Sequence, residues 1–141
     1  MRLPTLAVAA AALAIAASPA FAGPAEDMAE ARIASIAKGD VAAVVGAYAP
    51  SATLHWVGGP LDGTYASPDK LKEVWTKFAG AQGDQKTTIA ALSEAANPKG
   101  ATVTADVVFT GKNTVKVRYI LLYRDGKLAD EIWQVNPNAS Y

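Results

Sequence analysis

The chain contains no cysteine among its 141 residues. Disulfides, a thiolate nucleophile and a sulfur-ligated zinc site are therefore excluded. It has a single histidine, His55, and its carboxylates are scattered, so no ligand set stands at a recognised metal spacing and no metal is expected. Neither sign of charge dominates: 13 basic residues face 13 acidic ones, without clustering. That balance leaves no electrostatic footprint for nucleic acid or for an anionic membrane. Beyond residue 22 there is no long apolar run, no repeat and no low-complexity segment. Gly58-Gly59 is not a phosphate loop, because no Gly-Lys-Ser/Thr follows and the next helix signal starts only at Pro68. No cofactor is implied.

What the chain does have begins at its start. Arg2 supplies a positive charge, Leu6 to Ala17 form a short Ala-rich apolar run, and Ala20-Phe21-Ala22 is a small-x-small cleavage site. This is the pattern of a bacterial signal peptide, too short and too weakly hydrophobic for a stop-transfer helix. Residues 1–22 are therefore expected to be removed, giving a periplasmic or secreted protein with no membrane contact after cleavage. The remaining 119 residues, 23–141, suit one domain, with 12 basic residues against 13 acidic once Arg2 is gone. Packing alone must hold that domain together.

Ala29, Ile33, Ile36 and Ala37 recur at helical spacing up to Gly39, and Asp40 reads as the N-cap of a second helix carrying Val41, Val44, Val45 and Tyr48 and stopped by Pro50. Residues 52–57 alternate as a strand, with Leu54 and Trp56 on one face and Thr53 and His55 on the other; 58–65 reads as a loop. Ser67-Pro68-Asp69 starts a third helix with Leu71, Val74, Trp75 and Phe78 on one side. Four strand-like segments follow, 86–93, 101–110, 114–124 and 127–135, separated by turns short enough for antiparallel pairing. In 114–124, Val115, Val117, Tyr119, Leu121 and Tyr123 share one face.

This order, with Lys38-Gly39-Asp40, Tyr48 through Trp56, Gly63-Thr64-Tyr65 and Asp125-Gly126-Lys127 through Trp133, resembles the nuclear transport factor 2-like superfamily, most closely its SnoaL-like branch. The resemblance implies an α+β fold, a cone-shaped curved antiparallel sheet packed on three N-terminal helices, with an apolar pocket at the open end. It does not carry over the chemistry of two branches. The steroid isomerase base falls at Trp56, that branch's helix-one tyrosine near Arg32 and its pocket aspartic acid near Tyr119. The carboxylate that commonly follows the last-strand tryptophan in polyketide cyclases is replaced by Gln134, and neither an indole nor a neutral amide is a general base.

The remaining polar candidates are His55, Glu131 and Tyr119. His55 is an acid–base candidate because histidine as a residue type changes charge near neutral pH, or it is simply a residue on the strand's outer side. Glu131 shares parity with Trp133 and enters the pocket if Trp133 does, or stands exposed beside Asp130. Tyr119 would be a polarising donor. Trp56, Trp75, Phe78, Tyr119 and Trp133 either line a pocket or fill the core, with Asp62 and Tyr65 at its mouth. Two readings follow: an exported domain that binds a small, largely apolar molecule without turnover, or a small acid–base enzyme of isomerase, cyclase or lyase type using His55 or Glu131. A homodimer is expected through Ile120 and Leu122, framed by Arg118 and Arg124, with Val108 extending the patch and Asp106 meeting a basic residue across the interface.

Overall fold

The computed structural model describes residues 23–141, so the signal peptide expected at 1–22 lies outside the described residues. Helix α1 spans Pro24–Lys38 and begins with proline in its first turn, followed by Glu26 and Asp27 against the positive end of the helix dipole. It stops at Gly39, whose φ of 69° lets its N–H reach Ile36 O while Asp40 N bonds Ser35 O. Asp40 then caps α2 (Val41–Gly46) by accepting from Ala43 N. In α3 (Pro68–Gln82), Ser67 Oγ accepts from Lys70 N, and Leu71, Val74, Trp75 and Phe78 form the buried stripe.

The strands are β1 (Tyr48–Val57), β2 (Gly63–Tyr65), β3 (Lys86–Asn97), β4 (Gly100–Thr110), β5 (Thr114–Arg124) and β6 (Lys127–Val135). They form one sheet in the order β2-β1-β6-β5-β4-β3, and the helices cover its concave side. All neighbours are antiparallel except β1 and β6, which run parallel, so the sheet is mixed. The β5–β6 hairpin turns on Asp125 and Gly126, both at positive φ, as a two-residue turn between twisted strands requires.

Three boundaries differ from the sequence reading. The second helix ends at Gly46 rather than running to Pro50: Leu128 N bonds Ala47 O and draws the chain into the sheet, and Pro50 sits where the β1–β6 register is interrupted between Tyr48 and Thr53. A proline is tolerated there because no ladder hydrogen bond is asked of it. The expected loop 58–65 ends in the short edge strand β2, with Leu54 opposite Tyr65 and Trp56 opposite Gly63. Strand β3 continues to Asn97, four residues past the expected end.

A register shift on β6 matters most for the site. Leu122 pairs with Asp130 but Tyr123 pairs with Leu128, so Ala129 is an extra residue on β6. This bulge lets Leu128 and Glu131, which differ in parity, both point to the core. Over the concave face Trp56, Trp75, Phe78, Phe109 and Trp133 pack ring against ring with centroids 4.9–6.3 Å apart. Burying each such ring contributes about 1.5–3 kcal/mol. No helix among the described residues is long and apolar enough to cross a membrane.

Candidate functional site

Two features of the concave side have functional potential: a polar cluster inside the cone and an apolar cleft at its end. The cluster is centred on Glu131, which is 1% exposed. Its Oε1 accepts from the Tyr48 hydroxyl and from Arg32 Nη2 at 3.2 Å; its Oε2 accepts from the Tyr119 hydroxyl and from Arg32 Nε at 3.2 Å. Arg32 Nε also reaches Tyr119 Oη at 2.7 Å, and its Nη1 donates to the carbonyl of Val44 at 2.7 Å. Trp75 Nε1 donates to Tyr48 Oη at 2.7 Å. One ion pair therefore ties α1, α2, β1, α3, β5 and β6 together.

The electrostatics follow from this enclosure. Burial holds the hydroxyls of Tyr48 and Tyr119 above the ordinary phenol range; the Glu131 carboxylate adds to this and Arg32 opposes it. Burial works against the charge of Arg32, but Glu131 and the two phenol oxygens outweigh it and hold the guanidinium above its ordinary value. Both carboxylate oxygens are occupied by donors and neither is open to solvent. The cluster is built as a pin rather than as a base awaiting substrate.

The cleft lies where β1 and β6 end and β5 begins. It encloses about 480 Å³. Trp56, Leu61, Phe78, Val115 and Val135 give it apolar walls, with Lys77, Gln82 and Asn113 at the margin. Gln82 is occupied: its Nε2 donates to Gln85 Oε1 and to the carbonyl of Asn113, and its Oε1 accepts from Asn113 N. Lys77 pairs with Glu73 at 3.0 Å in solvent. The mouth is shaped by the 58–62 loop, in which Gly58 N donates to Asp62 Oδ2 at 2.7 Å and the Tyr65 hydroxyl donates to Leu61 O at 2.6 Å. Asp62 and Tyr65 thus stiffen the mouth.

Among the residues expected from sequence, Glu131 and Tyr119 meet in the buried cluster. His55 does not join them: Leu54 is opposite Glu131 in the β1–β6 register and His55 is opposite Ile132, so His55 projects from the outer face. It is 43% exposed in its side chain, with Nε2 3.4 Å from Asp130 Oδ1. Trp56 and Phe78 line the cleft, whereas Trp75, Tyr119 and Trp133 are enclosed behind them. The sequence reading missed Arg32 and Tyr48 as members of a polar cluster. Arg32 carried a signal, because it falls on the stripe Ala29, Ile33, Ile36, where a cation needs a buried partner. Among the described residues no group of histidines and carboxylates could hold a metal ion.

A family model described as a SnoaL-like domain matches residues 29–131. No curated protein matches the sequence. Among solved structures, a Xanthomonas campestris protein assigned as a calcium/calmodulin-dependent protein kinase II association domain superposes with a TM-score of 0.71 at 20% identity, covering 88% of this chain and 95% of that one. A ketosteroid isomerase-like protein from Erwinia carotovora atroseptica gives 0.61 at 18% identity, covering 78% and 92%. AusH from Aspergillus nidulans gives 0.66 at 16% identity, covering 83% and 88%. At these identities the likeness is one of fold.

Proposed function

The chain belongs to the family of SnoaL-like domains, and from that premise we propose that it is an exported domain that binds a small, largely apolar molecule in the cleft at the end of the cone, without turnover. The observation that carries this reading is the chemistry of the cleft wall. Its aromatic and aliphatic lining encloses a volume within the usual range for small-molecule sites, about 300–1,000 Å³. Among the described residues no carboxylate, histidine or free phenol lines it, and the Lys77 amine at its margin is engaged with Glu73. A general acid or base must come within hydrogen-bond reach of the reacting atom, and Glu131 is sealed inside the cluster while His55 lies on the other face of the sheet. The family includes isomerases and cyclases; an acid–base reaction here would require Glu131 to leave Arg32 and both tyrosines.

Naphthalene and decalin, titrated while indole emission is followed, test the proposal. Trp56 borders the cleft and contacts Trp75 and Trp133. A saturable change in emission, abolished by Val135→Arg at the cleft wall, is expected. Emission that does not change, or a change that survives Val135→Arg, overturns it. The export part of the proposal rests on Ala20-Phe21-Ala22 and is tested by the mass of the processed protein, expected to begin at Gly23. We further propose that two copies pair through the outer sheet face. Ile120 lies there opposite Thr104 and Ile132. Asp106, expected to bridge to a partner, instead pairs within the chain with Arg118 at 3.0 Å.

A further inference from the structure

Gly23 opens α1 in an extended conformation, φ −71° and ψ 161°, that any residue can adopt, so the backbone does not call for glycine there. The space around it does. A Cβ built on Gly23 would overlap the carboxylate of Glu94, a half-buried side chain that reaches in from the edge strand β3. A backbone nitrogen lies about 2.5 Å from the Cβ position of its own residue, which puts Gly23 N within about 4 Å of Glu94 Oε2. Gly23 has no side chain with which to cap the helix, and the same Oε2 accepts from Glu26 N at 3.4 Å in its place. Among the described residues no cation pairs with Glu94, and Glu26 and Asp27 in the first turn of α1 add further negative charge at this end. Gly23 is also the residue that follows the small-x-small site Ala20-Phe21-Ala22.

We propose that processing supplies Glu94 with its cation: hydrolysis of the Ala22–Gly23 bond frees the α-amine of Gly23, which is protonated and pairs with the Glu94 carboxylate, tying the new first residue to the edge strand. The inference rests on the cleavage proposed above. Water adds across the amide, its oxygen to the Ala22 carbonyl carbon and a proton to the Gly23 nitrogen, and the Ala22 carboxylate leaves with the signal peptide. An α-amine titrates ordinarily at about 7.7–8.0, so the freed group is mostly charged at neutral pH. Before cleavage the same nitrogen is a neutral amide, and the ion pair therefore exists only in the processed chain. A positive charge at the N-terminal end of a helix is disfavoured by the helix dipole on its own; Glu94, with Glu26 and Asp27, reverses that balance. Any first residue with a side chain would push the carboxylate away, so the cleavage site and the fold ask for glycine at the same position. Chain ends fray unless they are tied down.

The test uses protein trimmed from an N-terminal fusion by a protease that leaves Gly23 first, so that it does not depend on processing in the cell. The Hα resonances of the first residue, followed by NMR against pH, report the α-amine. Its midpoint is expected above the ordinary range of about 7.7–8.0, and is expected to fall back into that range in Glu94→Gln and in Gly23→Ala, whose methyl group displaces the carboxylate. A second protein that retains Ala20-Phe21-Ala22 ahead of Gly23 carries its charge away from Glu94. It should melt about 2–5 °C below the trimmed one, a difference that disappears when both carry Glu94→Gln. A midpoint within the ordinary range, or one that Glu94→Gln does not move, overturns the proposal. So does an extension that leaves the melting temperature unchanged, or lowers it equally with and without Glu94→Gln. A processed protein whose mass does not begin at Gly23 removes the cleavage reading and the proposal with it, whereas an unraised midpoint removes the ion pair alone.

Discussion

Replacing Glu131 with alanine decides whether the buried cluster is a pin or a catalytic device. The substitution leaves the Arg32 guanidinium with its carbonyl bond to Val44 but without a counter-charge, and leaves the Tyr48 and Tyr119 hydroxyls without their acceptor. Removing one partner of a buried ion pair costs about 3–5 kcal/mol, because the surviving charge stays desolvated. A domain of this size is stable by about 5–15 kcal/mol in all, so a fifth or more of the total is at stake, equivalent to a fall in Tm of about 10–20 °C. Urea unfolding followed by tryptophan emission measures it directly. The companion variant Arg32→Met/Glu131→Leu should recover most of the loss, since a well-packed apolar pair often matches a buried ion pair. A loss below about 1 kcal/mol for Glu131→Ala would refute the reasoning. It would mean that water reaches the carboxylate, and Glu131 would then return as an acid–base candidate.

The parts of this fold legible in the sequence are those fixed by local rules. Ser67-Pro68-Asp69 announces α3 because a capping hydroxyl and a first-turn proline act within four residues of one another. The alternation from Val115 to Tyr123 gives the inner face of β5 because that face is buried from Val117 to Tyr123. What was not legible depends on distant partners. The parallel pairing of β1 with β6 leaves no local mark, since residues 58–126 lie between the two strands. The bulge at Ala129 decides which β6 residues face inward, yet alanine carries no turn chemistry. His55 and Glu131 were both readable as acid–base candidates; that they lie on opposite faces follows only from the β1–β6 register. Arg32 was the clearest missed signal, a cation on an apolar helix stripe whose partner is 99 residues away.

Two further tests address titration and assembly. Tyr48, Tyr119 and Tyr123 ionise above the ordinary phenol range through burial, Tyr123 being pushed up to about 12. The unfolded chain gives up these protons from about pH 10, so stability should hold below that pH and fall as pH rises past it; phenolate absorbance showing all three titrating near pH 10 in the folded protein would contradict this. The outer-face pairing follows from the sheet itself. Ile120 and Leu122 are only partly covered, Ile132 adjoins Ile120, and the Asp106–Arg118 ion pair stands beside them with its charges already matched within the chain. An apolar centre beside an ion pair already matched within the chain can meet its own copy without leaving the charges of that pair unpaired, which suits a two-fold interface. Ile120→Glu with Leu122→Glu places like charges on both copies at that centre. The inner face of β5 is untouched, so the variant should keep its unfolding free energy within about 1 kcal/mol of the parent while sedimenting at half the mass. A parent protein that sediments as a monomer at high concentration removes the outer face as an interface.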